Sequence, residues 1–338
     1  MDSPRETVCK ALRFETPQRM PRDHWWQVWT EDHYPDELSE LLARYPSDFV
    51  TPDHKAPTGD RSAYRAGRYV DPWGCVFENL QDGVIGEVKD PLIATWADLH
   101  KARPPWHLID EGVKWVAQAP GKQNHFSILM FGQLFERMQF LRGTENLFVD
   151  LIEQPPELFK LRDLIHEFNL KTIDAWVQTD LDALSFNDDW GSQRALLIDP
   201  ELWRQMFKPL YRDYVKRVHK ADKFLFMHSD GHIFDILGDL IEIGIDAINS
   251  QLFCMDIEQI GQRYRGKIAF WGEIDRQYIL ARASLPEVRE AVRQVHSALY
   301  DPRGGVIAQC PFGPGARPEN IRAVFETWER LTQPNRRM

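Results

Sequence analysis

Cysteine is scarce in this sequence. Cys9, Cys75, Cys254 and Cys310 are the only four in 338 residues, and they are scattered. No disulfide framework is expected. A chain of this kind reads as reduced and cytoplasmic, with each cysteine buried, metal-bound or catalytic. Long apolar runs are missing too: none approaches the ~18 residues of a membrane span. The opening MDSPRETVCKALRFE is polar and helical in pattern, without the apolar centre of a secretory signal. There is no basic tract. Lys and Arg number 41 against 51 Asp and Glu, a formal charge of −10, which argues against nucleic acid as a partner. Internal repeats, Gly/Ser linkers and an early Gly-x-Gly-x-x-Gly turn are all absent, and the last absence removes the usual support for an open dinucleotide-binding sheet.

What is present is an alternation. Short apolar runs occur at Asp23–Trp29, Asp48–Thr51, Phe126–Phe131, Ala183–Phe186, Phe224–His228, Ala247–Ser250, Ile268–Trp271 and Val306–Cys310. Helix-patterned stretches separate them, near Pro35–Arg44, Gln133–Phe140, Pro200–His219, Ile233–Glu242, Ile257–Tyr264, Leu285–Leu299 and Pro318–Leu331. Two further helices, near Leu147–Leu151 and Pro156–Gln178, precede the fourth run. Strands alternating with helices imply parallel pairing. Eight such units predict an α/β fold, a closed (β/α)8 TIM barrel with an N-terminal helix, built as one domain over residues 1–338. Residues 68 to about 92 break the rhythm: turn residues at Asp71–Pro72 and Asp82–Gly83 between apolar stretches predict a β-hairpin insertion. Tryptophan is frequent, at 12 residues, three of them in DHWWQVW. On a strand His24 and Trp26 share one face and Trp25 the other.

In a barrel the active site lies at the carboxyl ends of the strands. Those ends are polar here: Asn187, Asp188, Asp189 and Trp190 on the fourth; His228, Ser229 and Asp230 on the fifth; Asn249, Ser250 and Gln251 on the sixth; Glu273 and Asp275 on the seventh; Gln309 and Cys310 on the eighth. Each has a structural reading. Asp230 and Asp275 can cap the helices that follow, and a lone histidine is more often hydrogen-bonded than a ligand. Glu273 follows the apolar IAFWG, where a carboxylate is costly without a partner. Together His228, Asp230, Cys310 and Glu273 suggest a metal site, because imidazole, carboxylate and thiolate are what zinc takes.

DDWGSQRALLIDPELWRQMFKPLYRDYVKRVHK, FMHSDGHIFDILGDLIEIGIDAIN, FWGEIDRQ and RPENIRAVFETW, in that order, resemble the uroporphyrinogen decarboxylase superfamily. The resemblance covers nearly the whole chain, most strongly from about Asp182, and implies the same barrel. The true decarboxylases carry an Arg-Gln-Ala-Gly-Arg segment for substrate carboxylates; this chain has MPRDHWWQVWTEDHYP there, and Asp48 in YPSDFV matches their essential aspartate poorly. The other branch is similar to cobamide-dependent methyltransferases, whose zinc motif is His-x-Cys on the fifth strand and Cys at the end of the eighth. His228 and Cys310 match it, and Asp230 stands for the middle cysteine. That harder donor set suits an oxygen ligand. The resemblance therefore implies an O-demethylase type of enzyme: a metal-dependent methyltransferase that moves a methyl group from a methoxylated aromatic to the Co(I) corrinoid of a separate partner protein. In that reading zinc polarises the ether oxygen, His24, Trp26, Trp190, Gln251 and Phe253 bind substrate, Asp188 or Asp189 protonates the leaving oxygen, and Glu273 completes the metal shell or orients a ligand. The alternatives are a tetrapyrrole-acid decarboxylase and a non-catalytic corrinoid- or tetrapyrrole-binding protein. Homodimers are common in the superfamily; no membrane or nucleic-acid partner is expected.

Overall fold

The computed structural model describes residues 2–52, 61–119 and 123–332. Along them run β1 (Trp25–Trp26), β2 (Phe49–Val50), β3 (Gly67–Val70), β4 (Val76–Asn79), β5 (Glu87–Val88), β6 (Phe126–Gly132), β7 (Ala183–Asn187), β8 (Phe224–Ser229), β9 (Ala247–Ser250), β10 (Ala269–Trp271), β11 (Val306–Ile307) and β12 (Pro311–Phe312). β3, β4 and β5 form a separate antiparallel sheet, so the insertion is a three-stranded meander. The rest are parallel: β2, β6, β7, β8, β9, β10 and β11 lie side by side in that order, and β1 pairs with β12. β11 and β12 are two parts of one stave. The ring closes through β1, since Asp23 N–H donates to Ala308 O and Asp48 N–H donates to Arg22 O, both at 2.9 Å. The result is the eight-staved (β/α)8 barrel.

Both faces of the staves are covered, which is why their sequences read as nearly continuous apolar runs. Alternation sorts them into two cores. Phe49, Phe126, Ile128, Ala183, Phe226, Ala247, Ala269, Trp271 and Ile307 fill the barrel interior. Their neighbours Leu129, Leu184, Leu225, Met227, Ile248 and Phe270 pack outward against the helices. The helix Pro4–Arg13 plugs the amino end with Val8 and Leu12. Ser3 and Glu6 form a capping box at its start, and Arg5 pairs with Asp182 at 2.7 Å below the fourth stave. No helix among the described residues is long and apolar enough to cross a membrane.

Beyond the meander that replaces the expected hairpin, further elements differ from the sequence reading. The first strand stops at Trp26, and Val28–His33 is helical; Thr30 Oγ1 donates to Phe312 O at 2.6 Å and turns the chain off the sheet. The helix expected over Pro200–His219 is two, Pro200–Met206 and Lys208–Lys220, because Pro209 has no N–H for the ladder across the join. The last stave is broken between Val306–Ile307 and Pro311–Phe312. A helix at His107–Gln118 was not anticipated.

His24 faces outward, not toward the mouth. Its ring packs on Phe325 at 4.4 Å and Nε2 donates to Tyr45 O at 2.5 Å. Burial pushes its pKa from 6.5 down to about 4. Between those values the unfolded chain takes up a proton that the folded chain refuses, so stability falls as the pH drops through that window, by up to about 3 kcal/mol. Urea unfolding of the parent chain and of His24→Gln, which keeps a donor for Tyr45, should isolate this loss: between pH 7 and pH 4 the variant should gain on the parent, while the buried carboxyls that titrate in the same range act equally on both.

Candidate metal centre

The register places the site. His228, near the end of β8, lies level with Asn187 of β7 and Asn249 of β9. Phe226 points into the barrel, so His228 and Asp230, two and four residues on, follow it to the inner face. One stave away, Asp189 comes to the same place. Nε2 of His228 is 3.6 Å from Oδ1 of Asp189 and 3.6 Å from Oδ1 of Asp230. Ligand atoms of these three residues lie within 4.8 Å of one another, the one such group of metal-binding type among the described residues.

Asn249 decides which imidazole nitrogen is free. It is fully buried, and its amide nitrogen donates to the Trp271 carbonyl and to Gln309 Oε1. Its Oδ1 must therefore accept, and it does so from His228 Nδ1 at 2.6 Å. The neutral ring then carries its lone pair on Nε2, facing the two carboxylates. Asp189 Oδ1 accepts the Asp230 N–H at 2.7 Å. Arg276 holds Asp230 Oδ2, whereas Asp230 Oδ1 is buried with no hydrogen-bond partner.

The surroundings are acidic. Burial pushes Glu273 up to about 8, against the nearby Arg276 guanidinium. Burial also raises Asp189, opposed by His228. Below them Asp23 Oδ2 accepts both indole N–H groups, from Trp25 at 3.0 Å and Trp271 at 2.9 Å; burial takes it to about 6. The Trp25 ring lies 5.5 Å from that of His228.

The other anticipated residues fall elsewhere, mostly through strand parity. Asp188 and Trp190 alternate with Asp189 and so point outward. Asp188 accepts the N–H groups of Leu134 and Glu136 at 3.1 and 2.9 Å and the Tyr211 hydroxyl at 2.5 Å; it holds the start of the helix Phe135–Arg142. Trp190 is stacked on Phe135 at 4.0 Å and is wholly buried, so neither residue meets the mouth. Cys310 belongs with Val306, Ala308 and Phe312 in the outer core, while Ile307 faces in. It is not in the cluster, and burial raises its thiol pKa. Gln251 accepts the Gly231 N–H at 3.1 Å and so braces the loop after β8. With Phe253 and Glu273 it lines a small cavity of about 130 Å³. Trp26 and His24 border a larger one, of about 750 Å³, on the side of β1, β2 and β6. Asp275 does cap the turn after it, accepting from Gln277 and Tyr278 N–H at 2.9 and 3.1 Å; Asp230 caps nothing. Sequence reasoning gave no part to Asn249, Asp23 or Arg276. Only the parity of Asn249 along its strand, and a lone cation in GEIDRQ, could have pointed to two of them.

The donor chemistry fits a divalent cation. An imidazole nitrogen and two carboxylate oxygens suit zinc or a harder ion, and the orphaned Asp230 oxygen is the kind of atom a cation would satisfy.

The sequence model of the family described as "Uroporphyrinogen decarboxylase (URO-D)" matches residues 131–331. No curated protein sequence matches the chain. Among solved structures, a methyltransferase from Methanosarcina mazei superposes with a TM-score of 0.66 at 15% identity, covering 98% of this chain and 99% of that one. A GH113 beta-1,4-mannanase reaches only 0.43 at 10% identity, over 92% and 99%, a likeness too weak to argue from.

Proposed function

The chain belongs to the uroporphyrinogen decarboxylase family, and from that premise we propose that it is a metal-dependent methyltransferase, one that moves a methyl group from an aromatic methyl ether to the corrinoid of a partner protein. The observation that carries the reading is the meeting of His228 Nε2, Asp189 and Asp230 at the barrel mouth, with the tautomer set by Asn249. When bound there, a divalent cation would supply Lewis acidity toward the ether oxygen. His228, Asp189 and Asp230 would hold it, and Arg276 would balance the excess carboxylate charge. Glu273, kept protonated near neutrality by its burial, would hold a proton for the departing oxygen. Trp25, not Trp26, presents the indole that faces His228. A methyltransferase among the structural relatives supports the same direction.

Decarboxylation of a tetrapyrrole polyacid fits the site less well. Its wall carries Asp189, Asp230, Glu273 and Asp275 with Arg276 among them, and Arg276 is already paired. A polyanion would find repulsion there.

The test is chemical. Purified protein loaded with Zn(II), given cob(I)alamin and a panel of methoxyarenes, should convert one of them to the phenol and form methylcobalamin in equal amount. The chelated protein should not. Turnover that survives complete metal removal would sink the proposal.

A further inference from the structure

The cavity of about 750 Å³ beside β1, β2 and β6 takes no part in holding the cation. Its size is that of a small-molecule pocket. Trp26, Trp73, Trp115, Trp176, Phe131 and Phe168 supply much of its wall, surfaces suited to a flat ring. It shares Asp23 with the metal centre: Asp23 lines the cavity and also receives the indole N–H of Trp25, the ring beside His228.

Its charges are already balanced from within. The cationic side chain on the wall is Arg137, and the partner of Arg137 is Asp71. Both are largely buried, with side-chain exposures of 14% and 7%. Asp71 is fixed in turn by the N–H groups of Trp73 and Cys75, at 3.0 and 2.8 Å. The guanidinium also lies over the Trp73 ring, 5.3 Å from its centroid. A carboxylate entering here would join Asp23 and Asp71 against one guanidinium. A neutral hydroxyl has a place to go. Asn169 spends its amide hydrogens on Gln133 O and the Tyr214 hydroxyl, both at 3.1 Å, which leaves Oδ1 to accept. Gly132 keeps that oxygen uncovered, since a Cβ at residue 132 would come within 2.8 Å of it.

We infer that this cavity is a binding site for an uncharged, phenolic aromatic ring, and that it discriminates against the corresponding benzoate. The inference rests on the methyltransferase reading only in naming the ring as the methyl donor; the site itself is argued from its own walls.

Calorimetry on the full chain, without metal or corrinoid, tests the site apart from the reaction. At pH 7.5, 2-methoxyphenol should bind at least about tenfold more tightly than 4-hydroxy-3-methoxybenzoate. Asp71→Asn, which keeps an acceptor for Trp73 and Cys75 but frees the Arg137 charge, should shrink or reverse that ratio. Leu108→Trp, which fills the cavity from its wall, should abolish binding of both, with circular dichroism to show the fold intact. Equal or tighter binding of the acid to the unaltered protein, no binding of the phenol, or phenol binding indifferent to Leu108→Trp would each overturn the inference. If the phenol binds as expected and no methoxyarene of the panel yields methylcobalamin in the metal-loaded assay, the site stands and the methyltransferase reading falls. If methyl transfer proceeds best from the benzoate, the reading stands and the site inference falls.

Discussion

His228→Ala should weaken Zn(II) binding by at least about a hundredfold and remove methyl transfer. Loss of a hydrogen bond behind a ligand already costs ~10–100-fold in metal affinity, and here a ligand itself goes. The variant leaves Asp189 and Asp230 facing each other without an imidazole, and two carboxylates alone hold zinc poorly. Asn249 also loses the partner of its Oδ1. Titration against a competing chelator measures the affinity directly, and Asp230→Asn should lie between the alanine variant and the unaltered chain, because Arg276 is released as the charge is removed. Cys310→Ser is the control. Buried with the outer core, Cys310 should leave zinc affinity unchanged. Should the serine variant lose as much affinity as His228→Ala, the ligand set of His228, Asp189 and Asp230 is wrong and the thiol belongs in it.

Asp188→Ala should cost about 4 kcal/mol of stability with no direct effect on the metal site. The carboxylate ends the isolation of two backbone N–H groups at the start of the helix Phe135–Arg142, a capping role worth ~0.5–2 kcal/mol by itself. It also takes the Tyr211 hydroxyl, and Tyr211 in turn accepts the indole N–H of Trp190 at 3.0 Å. All of these are buried, and each donor left without an acceptor adds ~1–3 kcal/mol. Asp188→Asn keeps an oxygen for the N–H groups and should lose much less. Guanidinium unfolding followed by far-ultraviolet circular dichroism compares the two; near-equal midpoints for Asp188→Ala and the parent chain would contradict the role.

Much of this architecture can be read along the chain. β6 to β10 are apolar on both faces because both faces are covered, and their runs stand out against the charged helices. Pro35–Arg44, Ile257–Tyr264 and Leu285–Leu299 match the helices residue for residue, since Pro or a capping residue opens each one. The interior of the site was less legible. His228 and Asp230 could be placed on one face because two residues separate them on a single strand. Asp188, Trp190 and Cys310 could not be sorted from Asp189 without knowing which parity of each strand faces in, and a run buried on both sides hides its parity. Arg276 and Asn249 act through geometry from neighbouring staves, which no spacing along the sequence records.

The closing seam of the barrel has a consequence for how the chain is made. β1 finds its lateral partner in β12, with every other stave between them along the sequence. During synthesis the first stave therefore waits with bare N–H and C=O groups until Pro311 and Phe312 leave the ribosome. A nascent or prematurely terminated chain would display two open edges, at β1 and at whichever stave came last, and such edges recruit other strands. Pairing of β12 with β1 is thus the moment at which the molecule passes from a sticky crescent to a ring with no free margin.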